Sequence, residues 1–302
     1  MPEEENMLKS VFRKLNHSLI LLLLLAVTTW AQSAAPATAA KEVEVYGQKI
    51  HYLEAGAGPV VILLHGLGGD STNWALTLPA LSANYRVIAP DQIGFGKSDK
   101  PVINYRVATL VEFLSVFYKK LGIEKATLVG NSLGGWTAAA FALAYPERVE
   151  KLVLVDAAGY SPKRLGVPAL GAEFYSILNP ATTADLRRTF KLVFYNQAMF
   201  TDQVIEQQFT TKLKRGDGQT INAFVDSIMR GEDYLDESAV KIKTPTLVIW
   251  GREDGLTPLV MGETFAKDIP GAQKLIIEKC GHIPQLEKPL EFNTALLKFL
   301  KN

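Results

Sequence analysis

The sequence predicts an α/β protein with a mostly parallel, eight-stranded sheet, helices on both faces of the sheet and an inserted helical cap. Two observations predict this fold class. After residue 40, short apolar runs alternate with helical patterns, as in parallel strands joined by crossover helices. Residues 159–238 interrupt the alternation, because they carry helical patterns and no apolar strand run. We therefore expect a core formed by residues 41–158 and 239–302, with residues 159–238 as the cap.

Each strand is predicted from a short run that is apolar or alternating. The run Val60–Leu64 contains only apolar residues, which is typical of a central strand buried on both faces. The predicted strands are Glu42–Tyr46, Lys49–Glu54, Val60–Leu64, Tyr85–Ala89, Ala126–Val129, Leu152–Val155, Thr246–Trp250 and Lys274–Ile277. The first two are expected to form a hairpin that turns at Gly47.

Helices are predicted from the helical stretches between these strands. Those of the core are Asp70–Leu81, Val107–Leu121, Leu133–Tyr145, Pro258–Lys267 and Pro289–Leu300, the last two beginning with a proline that suits a first turn. Those of the cap are Glu173–Leu178, Ala184–Tyr195, Asp202–Leu213 and Thr220–Arg230. We expect most aromatic residues of the cap to hold these short helices together; lining a substrate pocket is the alternative role.

The first forty residues are predicted to lie outside the fold. A basic stretch at residues 9–14 precedes the nine-residue apolar run Leu19–Val27, and small residues follow. That order is typical of a secretory signal peptide, and the run is well short of the roughly 18 residues of a membrane span. We predict a signal peptide over residues 1–31, a disordered leader over 32–40, and an exported protein, periplasmic or secreted, with no stable membrane span after cleavage. An uncleaved signal that anchors the protein in a membrane is the alternative.

Charge and cysteine content exclude several classes of function. The formal net charge of +1 provides no basic field, so we expect no nucleic-acid partner. The single cysteine, Cys280, excludes an intramolecular disulfide and a metal cluster held by several cysteines. The thiol lies beside a candidate catalytic loop, where a small buried packing residue is the expected role and a reactive thiol the alternative.

The strongest chemical signal is a G-x-S-x-G motif, Gly130-Asn131-Ser132-Leu133-Gly134, between a predicted strand and a predicted helix. Such a turn holds a nucleophilic serine in a strained backbone conformation, and the glycines two residues before and after it avoid a steric clash. The hydroxyl then lies at the beginning of a helix, whose amide groups face a developing negative charge. Ser132 is therefore the predicted nucleophile.

A serine nucleophile needs a histidine base and an acid that orients it. In this motif's usual chain order the acid follows the serine and the histidine comes last, which favours His282 over His65 as the base. His282 follows the last predicted strand, at the edge where sites assemble in an open α/β sheet. Asp254, after the strand Thr246–Trp250, is the predicted acid; Asp156 is its competitor and Glu253 a more distant one.

These residues resemble those of the α/β-hydrolase superfamily from about Tyr46 to the C-terminus. The resemblance implies a triad, an oxyanion hole made of two backbone amides, and a structural role for the histidine of the oxyanion loop. The implied triad is Ser132, Asp254 and His282, the implied oxyanion amides are those of Leu67 and Leu133, and the structural histidine is His65. The implied reaction passes through an acyl-enzyme and needs no metal or organic cofactor.

Within that superfamily we predict a carboxylic-ester hydrolase, an esterase or lipase that acts on a small-molecule or lipid ester. The chain also resembles the hydrolases that cleave carbon–carbon bonds in aromatic ring-cleavage products, which is the alternative. Two departures argue against it: the loop after His65-Gly66 reads Leu67-Gly68-Gly69 rather than a Ser-Gly-Pro-Gly type, and Ile283 rather than tryptophan follows His282. A catalytically silent binding protein is the third possibility.

Two glycine-rich stretches are similar to nucleotide-binding motifs, and neither fits well. Residues 66–71 have Ser71 in place of the third glycine of a dinucleotide fingerprint. Residues 94–98 end like a P-loop, but Asp91 stands where its first glycine belongs. We therefore predict no nucleotide-dependent activity.

Overall fold

The computed structural model describes residues 36–168, 171, 174 and 177–302. The predicted signal peptide and the first part of the predicted leader lie outside these residues, as do residues 173, 175 and 176 of the predicted cap helix Glu173–Leu178. The leader prediction needs one correction, because Ala39 and Ala40 already belong to the first strand and pair with the second. None of the helices in the described ranges is long and apolar enough to cross a membrane.

One sheet of eight strands organises the chain, and six of its strands are parallel neighbours, as predicted. The strands are β1 (Ala39–Val45), β2 (Gln48–Ala55), β3 (Val60–Leu64), β4 (Arg86–Pro90), β5 (Ala126–Asn131), β6 (Val149–Val155), β7 (Thr246–Gly251) and β8 (Gln273–Ile277). Their order across the sheet is β1-β2-β4-β3-β5-β6-β7-β8, with β1 and β2 the antiparallel hairpin that turns at Gly47. The carboxyl ends of β5, β6 and β7 therefore lie side by side.

Helices cover both faces of the sheet because the central strands are apolar on both sides. The helices are α1 (Leu78–Leu81), α2 (Val107–Lys120), α3 (Leu133–Ala144), α4 (Pro162–Leu165), α5 (Thr183–Val193), α6 (Asp202–Arg215), α7 (Gly218–Met229), α8 (Leu259–Asp268), α9 (Pro284–Glu287) and α10 (Pro289–Lys301). One face of the sheet packs against α2, α3 and α8, and the other against α1 and α10.

The predicted helix Asp70–Leu81 is wrong as a single element. The structure has a 3₁₀ helix at Ser71–Trp74, a turn, and then α1. Asp70 caps the 3₁₀ helix by accepting a hydrogen bond from the Thr72 amide. Pro79 lies in the first turn of α1, where its missing N–H costs nothing, and it cannot donate the hydrogen bond that would continue the preceding turn.

The cap is made of α4 to α7 and joins the core through specific contacts. The Trp136 indole N–H of α3 donates to the carbonyl oxygen of Asp233 at 2.8 Å. Leu186 of α5, Phe200 between α5 and α6, and Ile205 of α6 form a small apolar cluster of their own, so cap aromatics do hold the helices together. Phe224 of α7 is buried in the main core instead.

Candidate active site

Ser132 lies at the turn between β5 and α3 with a strained backbone, φ 56° and ψ −119°. A positive φ of this kind is unfavourable for any residue with a Cβ, and it persists only where the surroundings impose it. Here its backbone N–H donates to Val155 at 3.0 Å, and its carbonyl oxygen accepts from Trp136 at 3.0 Å and Ala158 at 3.1 Å. The side chain is half-buried at the end of the sheet, with the helix beginning directly after it.

The two glycines of the motif are required by close backbone approach. A Cβ at Gly130 would lie 2.2 Å from the carbonyl oxygen of Gly134. A Cβ at Gly134 would lie 2.2 Å from the carbonyl oxygen of Leu64, on the neighbouring strand β3. The geometry thus agrees with the reason that the sequence pattern offered for these residues.

Asp254 and His282 are brought together from loops 28 residues apart. Asp254 Oδ2 lies 2.7 Å from His282 Nδ1, and both side chains are buried. The other carboxylate oxygen of Asp254 accepts from the amides of Leu256 at 2.7 Å and Thr257 at 3.1 Å. A carboxylate held in this way fixes the orientation of the imidazole through Nδ1, so that Nε2 can accept a proton.

Two residues that the sequence analysis missed complete this arrangement. The Thr257 hydroxyl lies 2.5 Å from Asp254 Oδ2 and 3.0 Å from the carbonyl oxygen of Asp156. The side-chain amide of Asn131 donates to the carbonyl oxygen of His282 at 3.0 Å and so joins the serine turn to the histidine loop. Ser132 Oγ makes no hydrogen bond with the His282 ring among the described residues, and such contacts commonly tighten only when substrate binds.

The loop that follows β3 lies against the serine. A Cβ at Gly66 would lie 3.0 Å from Ser132 Cβ, so the loop that contains Leu67 approaches the predicted nucleophile at Gly66. The buried ring of His65 spans this loop: Nδ1 lies 2.7 Å from the Gly66 carbonyl oxygen, and Nε2 accepts from the Gln92 amide at 3.0 Å. Burial lowers the pKa of His65, so the ring is neutral and stabilises the loop through these two hydrogen bonds.

The cap contacts this loop through Arg215, at the end of α6. Its guanidinium donates to the Gly68 carbonyl oxygen at 2.9 Å and pairs with Asp70 at 2.5 Å. Burial alone would raise the pKa of Asp70, but Arg215 and the Thr72 hydrogen bonds outweigh it and hold that pKa below its usual value.

The competing acids occupy different positions. Asp156 is fully buried at the end of β6, and its Oδ1 accepts from the Gly251 amide at 2.8 Å rather than from the histidine. Burial, and then the charge of Asp254, raise the pKa of Asp156 well above its usual value. Glu253 accepts from the Cys280 amide at 2.9 Å and supports the histidine loop from the outside.

The histidine loop is held on a second side by Glu287 and by the cap. Glu287 accepts from the Gly281 amide at 2.7 Å and from the Tyr195 amide at 3.0 Å. The His282 amide donates to the Val193 carbonyl oxygen at 2.7 Å, at the end of α5. Cap and catalytic loop therefore share a backbone hydrogen bond and a bridging carboxylate.

The remaining sequence candidates have structural contacts. Cys280 is fully buried, and burial raises the pKa of its thiol, so the neutral thiol form is favoured. Asp91 pairs with His51 at 3.0 Å and accepts from the Ser71 and Lys97 amides, both at 2.7 Å, which ties the two glycine-rich stretches together.

One group in the described residues has the composition of a metal site: Asp156, Asp254 and His282, whose side-chain ligand atoms lie within 4.8 Å of one another. His282 Nδ1 already lies at hydrogen-bonding distance from Asp254. The arrangement is that of a hydrogen-bonded acid–base pair with a second carboxyl group behind it, and it fits an imidazole oriented by a carboxylate better than a metal ligand set.

Known proteins share the fold described above. The family model for the alpha/beta hydrolase fold matches residues 59–289. A hydrolase of 2-hydroxy-6-oxononadienedioate and 2-hydroxy-6-oxononatrienedioate from Paraburkholderia phymatum is 35% identical over 263 residues, 83% of this chain and 91% of that protein. A 2-hydroxy-6-oxo-6-phenylhexa-2,4-dienoate hydrolase from Comamonas testosteroni is 34% identical, with 83% and 91% covered.

Two solved structures are similar over most of their length. A meta-cleavage product hydrolase from Pseudomonas fluorescens has a TM-score of 0.78 and 32% identity, and the match covers 86% of this chain and 97% of that one. A membrane phospholipase A described as a bacterial virulence factor has a TM-score of 0.78 and 29% identity, and the match covers 98% of this chain and 96% of that one.

Proposed function

This chain belongs to the α/β-hydrolase family, and on that premise we propose that it is a hydrolase with Ser132 as nucleophile, His282 as general base and Asp254 as the acid that orients the base. The observation that carries the proposal is the buried 2.7 Å contact between Asp254 Oδ2 and His282 Nδ1, next to a strained serine. Of the two other histidines in the described residues, His65 has both ring nitrogens engaged by the backbone, and Nδ1 of His51 pairs with Asp91 at 3.0 Å.

The proposed reaction uses the chain's own groups at each step. His282 Nε2 takes the hydroxyl proton as Ser132 Oγ adds to a substrate carbonyl carbon. The backbone amides of Leu67 and Leu133 donate to the oxyanion, which suits a loop packed against Ser132 and a helix that begins there. His282 then protonates the leaving group, and water, deprotonated by the same ring, hydrolyses the acyl-enzyme.

We propose a carbon–carbon bond next to a ketone as the bond that is cleaved. The support is the set of curated relatives, 33% to 35% identical over at least 83% of the chain, which are named as hydrolases of 2-hydroxy-6-oxo dienoates or of 2-hydroxymuconate semialdehyde. A carbon leaving group departs only if its electron pair is delocalised. The 2-hydroxyl proton of such a substrate must therefore first move to C5, which gives a 2,6-dioxo form; when the bond between C5 and C6 then breaks, the electron pair left on C5 is delocalised onto the 2-oxo group as a dienolate. His282 would supply the proton that converts this dienolate to the neutral product.

Carboxylic-ester hydrolysis, the function predicted from the sequence, is the second candidate. The same nucleophile and oxyanion hole serve an ester, whose alkoxide leaves more readily than carbon. The likeness to a membrane phospholipase A over 98% of the chain supports it. The Leu67-Gly68-Gly69 loop and Ile283, which differ from the ring-cleavage hydrolases, support it as well.

The experiment uses purified protein beginning at about residue 33, beside Ser132→Ala. Both proteins are assayed on a 2-hydroxy-6-oxo-6-phenylhexa-2,4-dienoate, whose conjugated chromophore disappears on cleavage, and on p-nitrophenyl esters from acetate to palmitate. Dienoate turnover that requires Ser132, with a kcat/KM above that of every ester, is the expected result. Faster ester turnover would replace the first candidate by the second, and equal turnover by both proteins would overturn the triad.

We also propose export with cleavage of residues 1–31, on the basic and apolar order of that segment. Expression of the full chain followed by cell fractionation and mass measurement of the product tests it. A mature protein beginning near residue 32 in the periplasm or medium is expected. The intact chain in the membrane fraction would favour the anchored alternative.

A further inference from the structure

Asp156 is a buried carboxyl group that the proposed reaction does not use. It follows β6 with a positive φ of 42°, which a residue with a side chain rarely adopts. Its backbone N–H donates to Ile249 at 3.0 Å, and its carbonyl oxygen lies 3.0 Å from the Thr257 hydroxyl oxygen. The fold thus imposes the position of this residue at the meeting point of β6 and β7.

The two carboxylate oxygens of Asp156 differ. Oδ1 accepts from the Gly251 amide at 2.8 Å, whereas Oδ2 is buried without a hydrogen-bond partner. An ionised oxygen in that position would be left without solvation, which is strongly unfavourable. A proton on Oδ2 removes the charge and turns the unpaired acceptor into a donor.

An acceptor for that proton is close by. Ligand atoms of Asp156, Asp254 and His282 lie within 4.8 Å of one another. The side chain of Asp254 is already surrounded by donors, which are the amides of Leu256 and Thr257, the Thr257 hydroxyl and the His282 ring. Two carboxyl groups this close in a buried site do not both ionise, and the one with more donors keeps the charge.

Burial and the neighbouring negative charges also favour a proton on Asp156, and one hydrogen bond opposes it. Burial raises its pKa most, and the negative charges of Asp254 and Glu287 raise it further, while the Gly251 hydrogen bond lowers it. The buried Cys280 thiol on the adjacent loop is neutral by the same burial argument.

We propose that Asp156 is a protonated carboxylic acid at neutral pH that donates its Oδ2–H to the carboxylate of Asp254. In this arrangement Asp156 is a positioning residue. It holds Asp254 against His282 and leaves a single negative charge, rather than two, beside the base. The proposal rests on the proposed triad for its role in catalysis, but the protonation state is independent of any activity.

The first test therefore needs no substrate. An infrared difference spectrum at pH 7 is recorded between the wild type and Asp156→Asn, with Asp226→Asn as the matched control on the exposed side of α7. The carbonyl stretch of a protonated carboxyl group is expected in the wild type and is lost in Asp156→Asn but not in Asp226→Asn. If Asp156→Asn instead loses only carboxylate bands, Asp156 is ionised and the proposal is wrong.

The second test separates positioning from packing, on whichever substrate the enzyme turns over. Asparagine keeps a donor and an acceptor and cannot ionise, so in Asp156→Asn the acidic limb of the kcat/KM–pH profile should stay within about 0.3 pH units of the wild type. Asp156→Leu loses both hydrogen bonds, and kcat should fall on the order of tenfold with KM nearly unchanged. A fall of about one pH unit in the acidic limb of Asp156→Asn would mean that a negative charge beside His282 had been removed, which overturns the proposal.

Discussion

Glu287 and Gly281 are joined by a 2.7 Å hydrogen bond from the glycine amide to the glutamate carboxylate, directly before the catalytic histidine candidate. The same carboxylate accepts from the amides of Tyr195 at 3.0 Å and Asn196 at 3.1 Å, in the cap. One side chain therefore holds together two segments that are some 90 residues apart in the chain. Hydrogen bonds to a charged group are about twice as strong as neutral ones, so the position of this loop depends on Glu287.

Replacing Glu287 by alanine should therefore weaken both the fold and the reaction. The Gly281 amide is buried and would be left unpaired, which costs about 1–3 kcal/mol of unfolding free energy. We also expect kcat to fall, because the histidine loop is less well held. Urea unfolding and steady-state kinetics measure both effects. Glu124→Ala, at an exposed position, is the control, and equal losses in the two variants would contradict the role of Glu287.

The strain at Ser132 predicts that removing its side chain stabilises the protein. The unfolding free energy of Ser132→Gly should exceed that of Ser132→Ala by about 1 kcal/mol or more, because glycine adopts the positive φ of 56° without a Cβ clash. Ser132→Gly should therefore unfold at a higher denaturant concentration. Both variants should lose catalytic activity by roughly 10³-fold or more. Equal stability of the two would show that the backbone at this turn is not strained.

Close packing around Gly134 predicts a large effect from a single methyl group. In Gly134→Ala the new Cβ would lie 2.2 Å from the Leu64 carbonyl oxygen, so β3 and α3 would have to separate. We expect a loss of about 2–4 kcal/mol of unfolding free energy, together with activity. Gly218→Ala is the matched control, since its Cβ would come no closer than 3.6 Å to another residue. A comparable loss of unfolding free energy in Gly218→Ala would contradict this explanation.

The raised pKa of Asp156 predicts a pH-dependent difference in stability. The unfolded chain releases this proton near pH 3.9, about the usual pKa of an aspartate, whereas the folded protein retains it to higher pH. The folded state thus binds more protons, and this contribution to stability is complete below the unfolded pKa and is lost as pH rises. Asp156→Asn should gain about 1.4 kcal/mol relative to the wild type for each pH unit above about 4, while Asp156 stays protonated in the folded wild type.

Denaturant unfolding of both proteins between about pH 5 and pH 8 measures that difference. Asp226→Asn, at an exposed position, shows how much of the slope comes from the substitution itself. A difference between Asp156→Asn and the wild type that does not change with pH would mean that Asp156 titrates alike in the folded and unfolded states.

The parts of the fold that depend on local pattern could be predicted from the sequence. The apolar runs predicted all eight strands to within a few residues, and the glycines around Ser132 marked a turn where a side chain at those two positions would clash with the backbone. The helix expected at residues 70–81 is instead two short helices. Pro79 lies in the first turn of the second and cannot donate the hydrogen bond that would continue the first, which the spacing of apolar residues does not show.

The parts of the site that depend on contacts between distant segments could not be predicted. Glu287, Asn131 and Thr257 act through hydrogen bonds to residues brought near by the fold, and each has an ordinary polar side chain with no motif of its own. Thr257 had one local signal, because it follows Asp254 by three residues, a spacing that suits a turn closed by an aspartate side chain. The protonation of Asp156 depends on burial, which composition does not reveal.

The backbone hydrogen bonds between the cap and the core limit which caps could be exchanged among related proteins. The carbonyl oxygen of Leu192 accepts from Gly255, beside the acid, and that of Val193 accepts from His282 itself. The stretch 192–196 is therefore a scaffold for the reacting groups, although it lies within the inserted segment. A chimera that alters specificity by importing another cap should retain these five residues and change the helices on either side of them.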